Sequence, residues 1–220
     1  MRRLLLMLFI LAFGLLNAQS IKVEIINNGK VFTKNNNQLV SNEDSITIDK
    51  FQFYISNIQL KSKKSTYKES NSYHLIDAFN PGSCSFKIGD STFNYNHIAF
   101  TLGIDSATNY QGVHGGDLDP MKGMYWSWQT GYINCKIEGQ SSKSTNRKGK
   151  FNFHLGGFQG KEKNAQDILR SAESQKTITI RLDLNKLFKK IDVANQKNIM
   201  MPSKEAVKLS KLIAENLIVK

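Results

Sequence analysis

Residues 51–60 read Phe51-Gln52-Phe53-Tyr54-Ile55-Ser56-Asn57-Ile58-Gln59-Leu60. Phe51, Phe53 and Ile55 recur at every second position, the period that lines one face of a strand. Ile58 and Leu60 fall in the opposite phase, so the spacing predicts a β-bulge near Ser56-Asn57. The same alternation recurs outward in both directions: Val23 and Ile25; Ile46 and Ile48; Ile98, Phe100, Leu102 and Ile104; Ile133, Cys135 and Ile137; Phe151, Phe153 and Leu155; Ile178, Ile180, Leu182 and Leu184. Polar stretches at 62–71 and 140–149, rich in Ser, Lys and Asn, read as hairpin loops. Many short strands, each apolar on one face, bury that face most simply by stacking two sheets. Residues 161–172 read as polar and weakly helical. Pro202-Ser203 opens a helix to about Leu217, whose stripe Ala206, Leu209, Leu212, Ile213 and Leu217 would pack on a sheet. The expected fold class is therefore mainly β: an antiparallel β-sandwich-like domain with a C-terminal α-helix.

The first residues carry an address. Arg2 and Arg3 precede a run from Leu4 to Leu16 that is apolar apart from Gly14, and Leu16-Asn17-Ala18 ends in a small residue. Such a run is too short to span a bilayer but suits a secretory signal peptide over residues 1–18, cut before Gln19. A single domain would then fill residues 19–220, in the periplasm or outside the cell, with no integral membrane segment after cleavage.

The 220-residue chain carries 30 Lys+Arg against 18 Asp+Glu, a formal +12. Without Arg2 and Arg3 the excess falls to +10, and all of it lies in residues 139–220. It is spread over loops and the last helix without interleaved aromatics, the pattern of a solvated basic face and not of a nucleic-acid groove. Export permits disulfides. Cys84 and Cys135 both lie on apolar faces of alternating segments, so they are read equally as a bonded pair or as two buried thiols.

Both tryptophans of the chain fall in Met121-Lys122-Gly123-Met124-Tyr125-Trp126-Ser127-Trp128-Gln129-Thr130-Gly131-Tyr132. Two residues apart on a strand, Trp126 and Trp128 would share a face. The order Leu102-Gly103-Ile104-Asp105, Gly116-Asp117-Leu118-Asp119-Pro120, Met124 to Ile133, and Phe151 to Gly157, together with Phe53 to Ile58 and Tyr73 to Asp77, resembles the MbnP-like family. That family is named for the periplasmic copper-binding protein associated with methanobactin. The resemblance covers nearly all of residues 19–220, and the M-Y-W-x-W-x-x-G-Y core is its specific part. It implies a β-rich exported fold, copper binding, and a kynurenine made from the tryptophan that matches Trp126. It also implies a partner, a di-haem peroxidase of the MbnH type, and places His154 at the family's histidine. The chain departs from copper-binding members at Leu118 to Gly123, where they carry a histidine and this sequence has none.

Copper takes imidazole and thioether ligands. The candidates are His154, on the opposite face of its strand from Phe153; His114, in a glycine-flanked loop able to swing; and Met121 and Met124, with Tyr125, Trp126 and Trp128 lining the site. Asp105, Asp117 and Asp119 form an alternative oxygen-rich cation site, against the commoner role of carboxylates in turns. No nucleophile elbow, HExxH, Walker or dinucleotide motif is present, and neither cysteine has an electropositive setting. The expectation is a non-catalytic exported copper-binding protein. Its rival is a metal-free structural or protein-interaction domain on the same fold.

Overall fold

A computed structural model of the chain describes residues 18–90, 93–196 and 198–220. The expected signal peptide therefore lies, apart from Ala18, outside the described residues. The strands are β1 (Ala18–Asn27), β2 (Lys30–Val31), β3 (Gln38–Ser41), β4 (Asp44–Lys61), β5 (Thr66–Lys68), β6 (Tyr73–Asp77), β7 (Ser85–Asp90), β8 (His97–Leu102), β9 (Tyr125–Ser127), β10 (Gly131–Ser141), β11 (Lys150–Gly156), β12 (Gln166–Ser171), β13 (Thr177–Asp183) and β14 (Leu217–Val219). The helices are α1 (Ser106–Tyr110), α2 (Leu184–Phe188) and α3 (Lys204–Asn216). Among the described residues no helix is long and apolar enough to cross a membrane.

Two sheets face one another. The smaller runs β14-β13-β1-β2, with β7 also on β1. The larger runs β11-β10-β4-β8-β12, with β3, β5 and β6 on β4 and β9 on β10. Their inner faces meet in one apolar cluster that includes Ile21, Val23, Ile178 and Ile180 from one sheet and Phe51, Phe53, Phe100, Phe151 and Phe153 from the other. The expected sandwich is thus present. Its pairings are antiparallel with one exception: β1 and β13 run parallel, Ile21 opposite Ile178 and Ile25 opposite Leu182.

β4 is a single 18-residue strand whose inward face changes twice. Ile46 and Ile48 point inward, then Phe51, Phe53 and Ile55, then Ile58 and Leu60. Each change coincides with a break in register. One lies against β10 between Glu138 and Gly139; the other lies against β8 between Ser56 and Gln59. The predicted bulge is the second, where Asn57 takes the left-handed conformation (φ 55°) that Asn tolerates better than most residues. At the first, Gly139 lets the strands close: a Cβ there would lie 2.2 Å from the Thr47 carbonyl oxygen.

Between the two bulges Tyr54 points to the outer face. There it founds a second apolar cluster with Leu75, Ile104, Leu118, Met124, Tyr132 and Ile133. The segment from 103 to 124 folds over this face and seals it, and the Tyr54 hydroxyl donates to the Asp117 carbonyl oxygen at 3.0 Å.

α3 begins where expected. The Ser203 hydroxyl accepts from the Ala206 N–H at 3.1 Å, and Ala206, Leu209 and Ile213 bury against the sandwich. Residues 161–172 differ from the expectation. Instead of a helix they form a short 3-10 turn and then β12, which pairs along β8 from Gln166 to Ser171. Only Ile168 of β12 is buried, and an edge strand covered on one side needs little apolar periodicity, so the pattern was faint.

Both cysteines are free. Cys135 sits at 0% exposure in the main cluster, whereas Cys84 closes a 3-10 turn with its thiol directed to the Asp77 and Asn80 carbonyl oxygens. Burial raises the pKa of both thiols. The denatured chain should take up two alkyl groups without reductant, and the native chain should protect Cys135. Mass spectrometry that finds no adduct on the unreduced, denatured chain would establish a disulfide instead.

Candidate functional site

β10 and β11 form a hairpin in which Lys136 lies opposite His154 and Glu138 opposite Asn152. Phe151, Phe153 and Leu155 point into the sandwich, so His154 points to the outer face, as its position in the alternation requires. It is nevertheless buried, at 8% exposure. Its Nε2 lies 2.7 Å from a Glu138 carboxylate oxygen. A carboxylate can only accept, which assigns the ring proton to Nε2 and leaves the lone pair on Nδ1. Among the described residues no group hydrogen-bonds Nδ1. Burial holds the imidazole below its ordinary pKa; the Glu138 hydrogen bond opposes this and the Lys136 cation adds to it. His154 is therefore neutral near pH 7, the form that binds metals.

Lys136 is 7% exposed and its ammonium donates to the Gly123 carbonyl oxygen. Burial, with Lys50 nearby, lowers its pKa. The ammonium is thus anchored toward the turn that precedes the tryptophan motif.

Trp126 comes from β9, the short strand on β10. Its six-membered ring lies over Gly156: a Cβ at that position would stand 2.7 Å from Trp126 Cζ3 and 2.7 Å from the Tyr132 carbonyl oxygen. Gly156 is two residues beyond His154 on the same face, so the ring covers the sheet roughly 7 Å along the strand from the imidazole. Tyr125 packs edge-on against Tyr132, ring centroids 4.9 Å apart, and Tyr132 against Tyr54 at 6.1 Å.

The other expected site residues lie apart from this corner or serve the fold. Trp128 does not share a face with Trp126; it sits in the turn after β9 at 76% exposure. Met124 is sealed inside the second cluster, and Met121 is 92% exposed. The His114 N–H donates to the Tyr132 hydroxyl at 3.0 Å, while its buried Nε2 has no partner. The three aspartates accept from backbone N–H groups at a helix cap, a neighbouring strand and a turn. Asp105 caps α1 through the Thr108 N–H and binds Asn57. Asp117 accepts from the Leu75 N–H at 2.9 Å and pairs with Lys122 at 2.5 Å, and Asp119 caps the next turn through the Met121 N–H. His74 stacks on Phe86 at 3.6 Å and bonds Glu69.

Glu138, Lys136 and Gly156 were given no role at the site by the sequence. The hairpin register would have found the first two, because folding 131–141 onto 150–156 about the 142–149 loop sets 136 against 154.

Among the described residues no three His, Cys, Asp or Glu side chains gather round a point that one metal ion could occupy. The His154 imidazole is buried and oriented through its far nitrogen by a carboxylate, as metal-binding histidines commonly are. An unmodified indole has only an N–H donor and adds no ligand.

The sequence profile of the MbnP family matches residues 17–201. The solved structure of MbnP from Methylosinus trichosporium superposes with a TM-score of 0.62 over 86% of each chain, at 14% identity. No curated protein is recognisably similar in sequence.

Proposed function

The chain belongs to the MbnP family, and from that premise we propose that it is an exported, non-catalytic protein that binds copper as cargo at His154. The observation that carries this reading is the buried imidazole with Nε2 held by Glu138, on the same face of β11 as Gly156, over which the Trp126 ring lies. Trp126 is the residue to be oxidised to kynurenine by a di-haem peroxidase partner. Two equivalents of peroxide would open the pyrrole ring to N-formylkynurenine with release of two waters, and hydrolysis would then release the ring carbon as formate, leaving an aromatic amine and a ketone. That amine would be a nitrogen donor on the same face of the sheet as His154, which the encoded indole lacks. Intact mass of protein from its native host reads the modification directly.

Titration with Cu(I) and Cu(II) against chelators of known affinity tests the binding. The expected result is one equivalent bound, with His154→Ala losing at least about a hundredfold in affinity, since the primary ligand is gone while even supporting residues are worth roughly ten- to a hundredfold. Equal affinity of wild type and variant would overturn the assignment.

A second reading, a metal-free interaction domain, draws on the absence of a three-ligand cluster among the described residues. The segment 110–128 also exposes Tyr110, Val113, Met121 and Trp128. Absence of copper binding by the modified and unmodified chain alike would favour it.

A further inference from the structure

The turn from β10 into β11 carries Lys143, Arg147, Lys148 and Lys150 within residues 142–150. Its first half is braced by one carboxylate. Asp44 accepts from the Ser141 hydroxyl at 2.6 Å, the Ser142 hydroxyl at 2.9 Å and the Lys143 N–H at 3.2 Å. The Ser141 hydroxyl oxygen in turn accepts from the Ser144 N–H at 3.0 Å. Lys143 belongs to this scaffold: its ammonium donates to the Asn42 carbonyl oxygen at 2.9 Å and stands 3.6 Å from the Glu43 carboxylate. The other three cations do not. Among the described residues none of Arg147, Lys148 and Lys150 pairs with a carboxylate or donates a side-chain hydrogen bond.

These three line one cleft of about 480 Å³ together with Asn146, Asn152 and Asn198. The lining thus holds three cations, three amides and no carboxylate. The wall opposite the turn is fixed by backbone contacts. The Asn152 N–H donates to the Asn198 Oδ1 at 2.9 Å, and the Ile199 N–H donates to the Asn152 carbonyl oxygen at 2.8 Å. A backbone N–H can only donate, so Asn198 meets it with its oxygen and keeps its Nδ2 donors for the cleft. Lys148 sits at φ 59° and ψ 25°, in the left-handed region where lysine is uncommon and glycine or asparagine is at ease. The turn would form with less strain from glycine there; lysine puts an ammonium on the cleft instead.

We propose that this cleft binds a phosphate-type oxyanion, free or carried on a small organic phosphate. The three unpaired cations outweigh the charge of one phosphate dianion, and the guanidinium fork of Arg147 suits two of its oxygens at once. Lys148, Lys150 and the Asn198 amide supply further donors. The volume falls in the range of small-molecule clefts. Its lining has no aromatic or aliphatic side chain, so it would recognise the charged group and not an organic body. The turn is already braced by Asp44, which lowers the cost of ordering it round a ligand. Lys150, Asn152 and His154 are successive outward positions of β11. The cleft nevertheless uses neither the imidazole nor Trp126, so the inference is independent of the copper reading.

The isotope-labelled full chain is titrated at low ionic strength and about pH 7.5 with inorganic phosphate and with glycerol phosphate, both largely dianionic there. Chloride at matched ionic strength is the control. The expected result is a saturable NMR shift of the 147–150 amides and of the Asn198 side-chain amide, with a Kd on the order of 1 mM or tighter. Arg147→Gln combined with Lys148→Gln weakens binding about tenfold or more. Asn198→Asp does the same: it keeps the oxygen that accepts from Asn152 and sets a negative charge where Nδ2 stood. Lys208→Gln combined with Lys211→Gln removes equal charge from the exposed side of α3 and leaves affinity within about threefold, as does His154→Ala. The altered cleft and α3 residues are exposed, so the fold survives their replacement. Tighter binding of glycerol phosphate than of phosphate marks an ester as the ligand; the reverse marks the free ion. A wild type that shows only the shifts chloride produces overturns the proposal. So does an equal loss from the α3 pair, which would mean that phosphate feels only the general field of a basic chain.

Discussion

Replacing Phe153 with alanine is expected to remove about 3–5 kcal/mol of stability, the cost of deleting a large ring from a packed core. Phe153 is at 0% exposure, its ring centroid 5.0 Å from that of Phe151, in the middle of the inner face of β11. That loss is a large fraction of the roughly 5–15 kcal/mol that holds an ordinary domain folded. The damage would also reach the outer face. Phe153 bridges Ile199, and the backbone of His154 is tied to the same residue, so a collapsed cavity under β11 loosens the rim that presents the imidazole. Urea denaturation monitored by circular dichroism measures the shift. A variant that melts within about 1 kcal/mol of the wild type would show that β11 does not sit over a close-packed interior.

The second large effect concerns Gly156. Alanine there sets a Cβ 2.7 Å from both the Trp126 ring and the Tyr132 carbonyl oxygen. The carbonyl belongs to β10, whose pairing with β11 cannot yield without losing ladder bonds, so the indole must move. Overpacking of this kind costs about 1–3 kcal/mol. In a Trp128→Phe background, Trp126 is the sole indole, and the change should appear as a red-shifted emission and a weakened near-ultraviolet dichroism. An unchanged spectrum at unchanged stability would mean that the ring does not rest on this glycine. Glycine is required here for space, since its backbone is not among the positive-φ positions.

Much of the sandwich was legible because its strands are buried on one side only. Period-two alternation marked β4, β8, β10, β11 and β13, and the phase break at Ser56-Asn57 marked a real bulge. What escaped was governed by partners distant in sequence. β12 has one buried residue and takes its identity from β8. The parallel pairing of β1 with β13 leaves no local trace, because either orientation buries the same side chains. Tyr54 lies on the face of its strand opposite Phe53 and is buried by the 103–124 segment, which local alternation does not announce. Alternation alone put His154 on the outer face of its strand, where it lies. Its contact with Glu138 needed the hairpin register. Of the three aspartates, Asp105 and Asp119 accept from backbone N–H groups within three residues, as turn chemistry alone would place them, whereas Asp117 reaches the Leu75 N–H 42 residues away.

The parallel pairing also sets an order of events. β1 stands at the start of the described chain, and its long edge waits for residues 177–183. A chain delivered from its N-terminus can form the β1–β2 hairpin and dock β7, yet the smaller sheet stays open on its other side until nearly the last residues arrive. β14, which covers the far edge of β13, comes later still. Closure is therefore a late step of high contact order, which slows folding.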